Sequence, residues 1–338
     1  MRAAVRCPLI PFPVAMSIRI TATDWAVPPQ IQTAEELAPL IGRSPEWILS
    51  RTGVCRRHVS GDLKDPAVLA AAAARSILQE HGPPDLILYA GAVPRQAIPD
   101  LSVFVHRELG LTGIPAFSVN SACLSFLTAL KTAEGLIAGG TFSRVLICVA
   151  ELGSRGRNFH EPESAALLGD GAAAVLVERA ESLPLTSGFE AFRMQTWSEG
   201  ADLTGVRGGG LMSPLGDDGD SPEDQLFHMD GVALLKLTVP RLRRFLTNFL
   251  RDSGVTTDDI DLVVPHQPSG PGLRLLTRWG FCESRVVNII ANYGNCVAAS
   301  MPMALAMAHQ AGRLSPGSRI LFLGTSAGVS IGAALFRW

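Results

Sequence analysis

Three short segments carry side chains that could act together on an acyl group. Cys123 follows Asn-Ser-Ala at the start of an apolar stretch, His266 follows Leu-Val-Val-Pro, and Asn295 lies in a Tyr-Gly-Asn turn before small residues. A thiol can form a covalent acyl intermediate, and histidine and asparagine can donate hydrogen bonds to an oxygen that becomes negatively charged. These residue types therefore predict thioester chemistry that forms carbon–carbon bonds.

Cys123 is predicted to lie at the beginning of a helix. Residues 122–137 have the apolar spacing of a buried helix. The unpaired N–H groups and the dipole at a helix start favour a thiolate over a thiol. The alternative is a small cysteine of the core, which is a common position for this residue type.

His266 and Asn295 are also placed where loops meet regular elements. The strand predicted at 260–264 ends just before His266, and open α/β sheets bind ligands at the carboxyl ends of their strands. Asn295 precedes a helix predicted at 297–310. Taken singly, His266 could be a structural histidine and Asn295 a helix cap.

Composition is that of a compact globular enzyme. The 338 residues are 47% hydrophobic, with a formal net charge of −2, which argues against binding to nucleic acid. The six cysteines form no CxxC pair, which is typical of reduced, cytoplasmic thiols. No apolar run is long enough to span a membrane, and no histidine shows metal-ligand spacing. We expect a cytoplasmic protein without a metal or membrane partner.

The N-terminal 17 residues stand apart from the rest. Two arginines and an apolar stretch resemble a weak signal peptide, but three prolines interrupt that stretch. We interpret residues 1–17 as a disordered extension or a misassigned start, with Met16 as the effective first residue.

The order of elements occurs twice in the chain. Strand, helix, strand and Gly-rich strand follow one another in each half, and Ser143-Arg and Ser318-Arg begin corresponding strands about 175 positions apart. Near-continuous apolar strands alternating with helices indicate an α/β protein with both sheet faces covered. The predicted halves are 18–180, carrying the cysteine, and 181–338, carrying the histidine and asparagine, with a surface excursion at 198–225.

The sequence resembles the thiolase-like condensing enzymes, and most closely the β-ketoacyl-acyl-carrier-protein synthase III group. The likeness extends from about residue 18 to the C-terminus. It is carried by six motifs in family order: Trp47-Ile-Leu-Ser-Arg51-Thr-Gly53, Ser121-Ala-Cys123, Leu168-Gly-Asp-Gly-Ala172, His266-Gln267, Tyr293-Gly-Asn295 and the terminal Gly-rich strand.

The resemblance implies a five-layered α-β-α-β-α thiolase fold, a homodimer and a two-step reaction. Cys123 would take an acyl group from acyl-CoA or an acyl carrier protein, and a malonyl-type thioester would lose carbon dioxide and attack it. His266 and Asn295 would stabilise the enolate. Backbone N–H groups of Cys123, Ala327 and Gly328 would form the oxyanion hole. The 3-oxoacyl product would serve fatty-acid, polyketide or specialised lipid synthesis, with no cofactor beyond the thioester substrates.

The resemblance also assigns substrate and carrier contacts, with departures. After His266-Gln267 this chain has Pro-Ser in place of the family's Ala-Asn, so the loop is reshaped. Ile98 stands where the partner subunit usually lends an aromatic residue to the primer pocket, which could admit longer or branched acyl groups. Predicted substrate contacts are Trp47, Arg51, Ile98, Phe126 and Ser269, and predicted contacts of an acidic carrier protein are Arg241, Arg244, Arg274 and Arg278.

Two other functions remain open from the sequence. An acyltransferase could use the same cysteine but pass the acyl group to an oxygen or nitrogen nucleophile, which the reshaped loop would allow. A catalytically silent scaffold subunit of a partner synthase is the other alternative. The retained cysteine, histidine and asparagine favour the condensing enzyme over both.

Overall fold

The computed structural model describes residues 18–180, 187–211, 213–214 and 221–338. The expected extension at 1–17 lies outside these residues. The strands are β1 Ile18–Ala26, β2 Gln30–Thr33, β3 Arg56–Val59, β4 Leu86–Tyr89, β5 Ala116–Ser118, β6 Arg144–Leu152, β7 Asp170–Arg179, β8 Gly188–Gly200, β9 Thr204–Gly205, β10 His228–Met229, β11 Leu262–Pro265, β12 Arg319–Ser326 and β13 Gly328–Arg337. The helices are α1 Ala34–Ile41, α2 Pro45–Thr52, α3 Pro66–His81, α4 Leu101–Glu108, α5 Ser125–Ala138, α6 Pro162–Ala165, α7 Gly231–Asp252, α8 Gly270–Arg278, α9 Ile290–Tyr293 and α10 Ser300–Gln310.

Two sheets share one strand arrangement. The first has the order β1-β7-β6-β4-β5, and the second has the order β8-β13-β12-β11. In each sheet the first two pairings are antiparallel and the next is parallel. The prediction of two duplicated halves is therefore confirmed. The exact boundary between residues 180 and 181 stays a prediction, because 181–186 lie outside the described residues.

Helices fill the space between the sheets and cover their outer faces. The central core contains buried residues of α5 and α10 together with residues of both sheets. A second core joins α3 and α4 to the first sheet, and a third joins α7 and α8 to the second sheet. The layers therefore run α-β-α-β-α, as expected. The outer helix α7 contains Pro240 near its middle.

The two central helices begin with the same unusual turn. Ala122 and Val297 have φ angles of 51° and 49°, and each is the first residue of a short 3-10 turn that leads into α5 or α10. Positive φ in a residue with a side chain costs on the order of 1–3 kcal/mol. In each turn an asparagine compensates: Asn120 Oδ1 accepts the Ala122 N–H at 2.9 Å, and Asn295 Oδ1 accepts the Val297 N–H at 2.8 Å.

Cys123 and Asn295 therefore lie at equivalent helix starts. Residue by residue, Asn120 corresponds to Asn295 and Cys123 corresponds to Ala298, because corresponding residues lie 175 positions apart. We call residues 120–125 the Cys123 turn and residues 295–300 the Asn295 turn.

Candidate active site

Cys123 lies in the 3-10 turn that leads into α5 and is only partly buried. Burial and, second, the Glu151 carboxyl group raise the pKa of the Cys123 thiol to about 12. The backbone N–H of Ala327 hydrogen-bonds to the sulfur and opposes this rise. The direction of this shift opposes the thiolate that the helix start was expected to favour, and desolvation is its largest cause.

The predicted oxyanion hole lies beside this sulfur. Ala327 is the single residue between β12 and β13, and the end of β12 packs against the Cys123 turn. Gly328 has a φ of 124°, which suits only glycine. The N–H groups of Ala327 and of Cys123 itself both approach the sulfur. This position suits donors to an acyl oxygen on Cys123, although their role stays a prediction.

His266 follows β11 and is 4% exposed. Its N–H donates to the Leu323 carbonyl at 2.9 Å, while its side-chain Nδ1 is buried without a hydrogen-bond partner. Burial lowers the pKa of His266 to about 4, so the imidazole is neutral near pH 7. A neutral imidazole carries one N–H donor, as stabilisation of an enolate oxygen requires.

Gly324 in β12 brings His266 and the Cys123 turn to one point. A Cβ added to Gly324 would lie 2.8 Å from Leu124 Cδ2 and 3.1 Å from His266 Cβ. Leu124 directly follows the cysteine. The two predicted catalytic segments therefore pack against the same strand backbone, and the missing side chain of Gly324 permits this approach.

Asn295 is fixed by backbone and side-chain contacts. Its N–H donates to the Leu167 carbonyl at 2.8 Å, and its carbonyl accepts the Gly169 N–H at 3.0 Å. A backbone N–H can only donate, so the side-chain atom that meets the Val297 N–H must be Oδ1. The amide orientation follows, and Nδ2 is left as the donor. The Asn295 turn packs against the Cys123 turn.

The reshaped loop after His266 has a clear structural role. Buried Gln267 donates to the Val287 carbonyl at 3.0 Å and accepts the Ile289 N–H at 3.0 Å, which fixes the residue next to the histidine. Ser269 caps α8 by accepting the Gly272 N–H at 3.1 Å. Substrate binding by Ser269 stays a prediction.

The other predicted substrate contacts are spread over the molecule. Arg51 is exposed near the end of α2, and Trp47 in the same helix lies under the guanidinium of Arg43 at 5.3 Å. Ile98 is 84% exposed. Phe126 is fully buried in the central core, 6.1 Å from the ring of Phe322. Of these residues, Phe126 lies in α5, directly after the Cys123 turn. Substrate binding by all four stays a prediction.

The predicted carrier contacts lie on two outer helices. Arg274 and Arg278 are exposed on α8, which begins four residues after His266. Arg244 is exposed on α7, whereas Arg241 pairs with Glu199 at 2.6 Å. Carrier docking stays a prediction for all four. Within the described ranges no three metal-ligating side chains lie together, and no helix is long and apolar enough to cross a membrane.

Glu151 is a site residue that the sequence reasoning missed. It lies at the end of β6, is 1% exposed, and its charge acts on Cys123. Burial raises the pKa of Glu151 to about 8, while N–H groups of Ala92, Val93 and Ala298 oppose this rise. The available signal was an acid within the otherwise apolar run Val-Leu-Ile-Cys-Val-Ala-Glu-Leu.

Comparisons with known proteins agree with this geometry. Residues 117–196 match the family model described as 3-oxoacyl-[acyl-carrier-protein (ACP)] synthase III, and residues 250–338 match its C-terminal counterpart. A beta-ketoacyl-[acyl-carrier-protein] synthase III of Erythrobacter litoralis is 34% identical over 94% of this chain and 98% of its own length. Synthase III 3 of Streptomyces coelicolor is 34% identical over 94% of this chain and 96% of its own length.

A solved structure gives the same result at the level of the fold. The crystal structure of 3-oxoacyl-[acyl-carrier-protein] synthase III from Aquifex aeolicus superimposes with a TM-score of 0.84 at 28% identity, covering 95% of this chain and 100% of the other. The chain therefore belongs to the 3-oxoacyl-[acyl-carrier-protein] synthase III family of thiolase-fold acyltransferases.

Proposed function

We propose that this protein condenses an acyl group held on Cys123 with a malonyl-type thioester and releases a 3-oxoacyl thioester and carbon dioxide. The observation that carries the proposal is the approach of the Cys123 turn and His266 to Gly324, with the Ala327 N–H on the cysteine sulfur. This arrangement supplies a nucleophile and donors for both reacting oxygens. The thioesters themselves provide the reactive groups, so no further cofactor is required.

The first step is acyl transfer to the cysteine. The sulfur of Cys123 attacks the thioester carbonyl, and the N–H groups of Cys123 and Ala327 hold the resulting oxyanion. The carbon–sulfur bond of the donor then breaks, and the departing thiolate takes the proton that Cys123 loses. The raised pKa of the Cys123 thiol means that this proton leaves during the reaction and not before it.

The second step is decarboxylation and carbon–carbon bond formation. The malonyl thioester loses carbon dioxide, and the electron pair of the broken bond forms an enolate. Neutral His266 and Nδ2 of Asn295 donate to the enolate oxygen, and each such donor is typically worth about 100- to 1,000-fold in rate. The enolate carbon then attacks the acyl carbon, the carbon–sulfur bond to Cys123 breaks, and the departing thiolate takes a proton from water.

A second copy of the chain and an acyl carrier protein are the proposed partners. In the described part of the chain β5 pairs with β4 alone, so one side of this strand is an exposed sheet edge. Phe117 on β5 and Val93 and Ile98 on the neighbouring loop are exposed apolar residues. A second copy would cover this edge and this apolar surface. Arg274 and Arg278 would attract an acidic carrier toward the site.

Adduct formation and decarboxylation test the function together. The purified protein is incubated with acyl-CoA donors of increasing chain length, and the adduct is measured by intact mass spectrometry and mapped by peptide analysis. Malonyl-CoA or malonyl carrier protein is then added, and carbon dioxide and 3-oxoacyl product are measured. We expect one acyl group on Cys123, no adduct in Cys123→Ala, and an unchanged adduct in the control Cys55→Ala, which removes an exposed thiol.

The other outcomes assign the alternative functions. An adduct that forms without carbon dioxide release from either malonyl donor would indicate transfer to an oxygen or nitrogen nucleophile. Absence of any adduct would indicate a silent subunit. An adduct that persists in Cys123→Ala would show that the nucleophile is a different residue.

A further inference from the structure

Two separate segments lie against the carboxyl group of Glu151. The N–H of Ala92, in the loop after β4, donates to Oε1 of Glu151, and β6 packs against the Asn295 turn. The N–H groups of Val93 and Ala298, one in each segment, favour the charged carboxylate. Glu151 is nearly inaccessible to water. If its carboxyl group were removed, water could not take its place as the hydrogen-bond acceptor for these N–H groups. A buried N–H left without an acceptor is costly, and the carboxyl group therefore ties the two segments together.

The Cys123 turn is connected to the same carboxyl group through Asn120. Nδ2 of Asn120 donates to the Ala92 carbonyl at 3.1 Å, and Oδ1 of Asn120 accepts the Ala122 N–H at 2.9 Å. The chain of contacts runs from Glu151 to Ala92, to Asn120 and to the residue that precedes Cys123. The carboxyl group is thus linked to the Cys123 turn through Ala92, and its strand β6 packs against the Asn295 turn.

The internal duplication shows what Glu151 replaces. The Ala90 N–H donates to Cys148 O at 2.8 Å in the first half, and the His266 N–H donates to Leu323 O at 2.9 Å in the second. In this register Glu151 of the first half corresponds to Ser326 of the second half. In the same way, Cys123 of the first half corresponds to Ala298 of the second. The N–H of Cys123 lowers the pKa of its own thiol, and the corresponding N–H of Ala298 lowers the pKa of the Glu151 carboxyl group.

We propose that Glu151 is a positioning residue that holds the Cys123 turn and the Asn295 turn in their reactive arrangement. This inference rests on the proposed function, because it assumes that both turns act in condensation. Glu151 touches no substrate in this role. It acts through the backbone of Ala92, Val93 and Ala298, and it also sets the local charge at Cys123.

The electrostatic part of the role has a definite sign. The ionisable groups that interact with Glu151 are Asp170, Tyr89, Cys123 and Cys296. With a pKa of about 8, Glu151 is mostly protonated at pH 7 and adds little negative charge beside the thiol. Above pH 8 it ionises and opposes formation of the Cys123 thiolate.

Glu151→Gln is the variant that tests the inference. The glutamine carbonyl can still accept one N–H, but the amide NH₂ would face the other N–H donors and cannot accept from them. The glutamine side chain also cannot ionise. We expect the acylated variant to decarboxylate malonyl thioester about tenfold more slowly, since small displacements of reacting groups can cost up to about 100-fold. The control is Asp85→Asn, which alters another carboxylate that accepts two backbone N–H groups, at the opposite end of β6. Its decarboxylation rate should match that of the unaltered protein.

Alkylation of Cys123 by iodoacetamide gives a readout that a purely structural role would not change. In the unaltered protein the rate should rise less than tenfold per pH unit just above pH 8, where Glu151 ionises. In Glu151→Gln this flattening should disappear, and alkylation at pH 9 should be about 3- to 10-fold faster because the opposing charge is gone. The measurement on the unaltered protein is informative even if the variant is unstable.

Either of two results would overturn the inference. One is a Glu151→Gln protein whose decarboxylation rate lies within threefold of the unaltered rate. The other is an alkylation profile with the same constant tenfold slope in both proteins, which would leave Glu151 as a residue of stability alone. Neither result affects the proposed function, which depends on the adduct at Cys123. Loss of that adduct from the unaltered protein would instead contradict the function.

Discussion

Replacing Asn295 with aspartate separates the two roles of this side chain. Oδ1 accepts the Val297 N–H at 2.8 Å and stabilises a turn with positive φ, whereas Nδ2 is the proposed donor to the enolate. Aspartate keeps an oxygen for the Val297 N–H and removes the N–H donor. The variant therefore tests the chemical role without removing the cap.

The expected magnitudes differ for stability and rate. Loss of an asparagine cap typically costs about 1 kcal/mol, but a carboxylate at a helix start is itself favourable, so the free energy of unfolding should change by less than that. Loss of one oxyanion donor costs about 100- to 1,000-fold in rate. The new negative charge also repels the enolate. Decarboxylation should therefore fall at least 100-fold while the acyl adduct on Cys123 still forms.

Three measurements on the same preparation are needed. Thermal unfolding tests whether the Oδ1 contact still stabilises the turn, and intact mass measures the acyl adduct on Cys123. Carbon dioxide release from malonyl thioester tests the role of Nδ2 as a donor to the enolate. Asn288→Asp is the matched control, because Oδ1 of exposed Asn288 also accepts the N–H two residues ahead, that of Ile290 at 3.1 Å. If Asn295→Asp decarboxylates within threefold of the unaltered protein, Nδ2 does not stabilise the enolate.

Three further predictions concern packing, pH and chain length. Gly324→Ala should destabilise the protein by about 1–3 kcal/mol and slow decarboxylation, because the added Cβ meets Leu124 and His266; thermal unfolding and carbon dioxide release check this. The pKa of His266 is about 6.5 in the unfolded chain and about 4 in the folded protein, so the free energy of unfolding should fall by up to about 3 kcal/mol as the pH drops from 6.5 to 4. Denaturant titrations of His266→Asn should show a smaller loss of unfolding free energy over the same pH range. Ile98→Phe should slow long or branched acyl donors several-fold and leave acetyl transfer unchanged in adduct assays; equal loss for all donors would show that Ile98 does not select chain length.

The sequence predicted the elements well because their patterns are local. Apolar runs with serine-arginine starts identified β6 and β12, and the paired starts predicted the duplication. The exact turn geometry was not predictable, because positive φ at Ala122 and Val297 depends on asparagine contacts that propensity does not describe. The helix dipole suggested a thiolate, but burial and the Glu151 carboxyl group raise the pKa of the Cys123 thiol. That carboxyl group comes from another strand, about 28 residues along the chain.

The proposed catalytic residues occupy a few asymmetric positions of a duplicated frame. Both central helices begin with an asparagine-capped turn, yet Cys123 in one turn corresponds to Ala298 in the other, and His266 corresponds to Ala90. The N–H of Ala298 lowers the pKa of Glu151, whereas the corresponding N–H of Cys123 is a proposed oxyanion donor. If the proposed roles hold, the symmetric backbone supplies such a donor in each half, and in the second half the protein's own carboxyl group takes the place of an acyl oxygen.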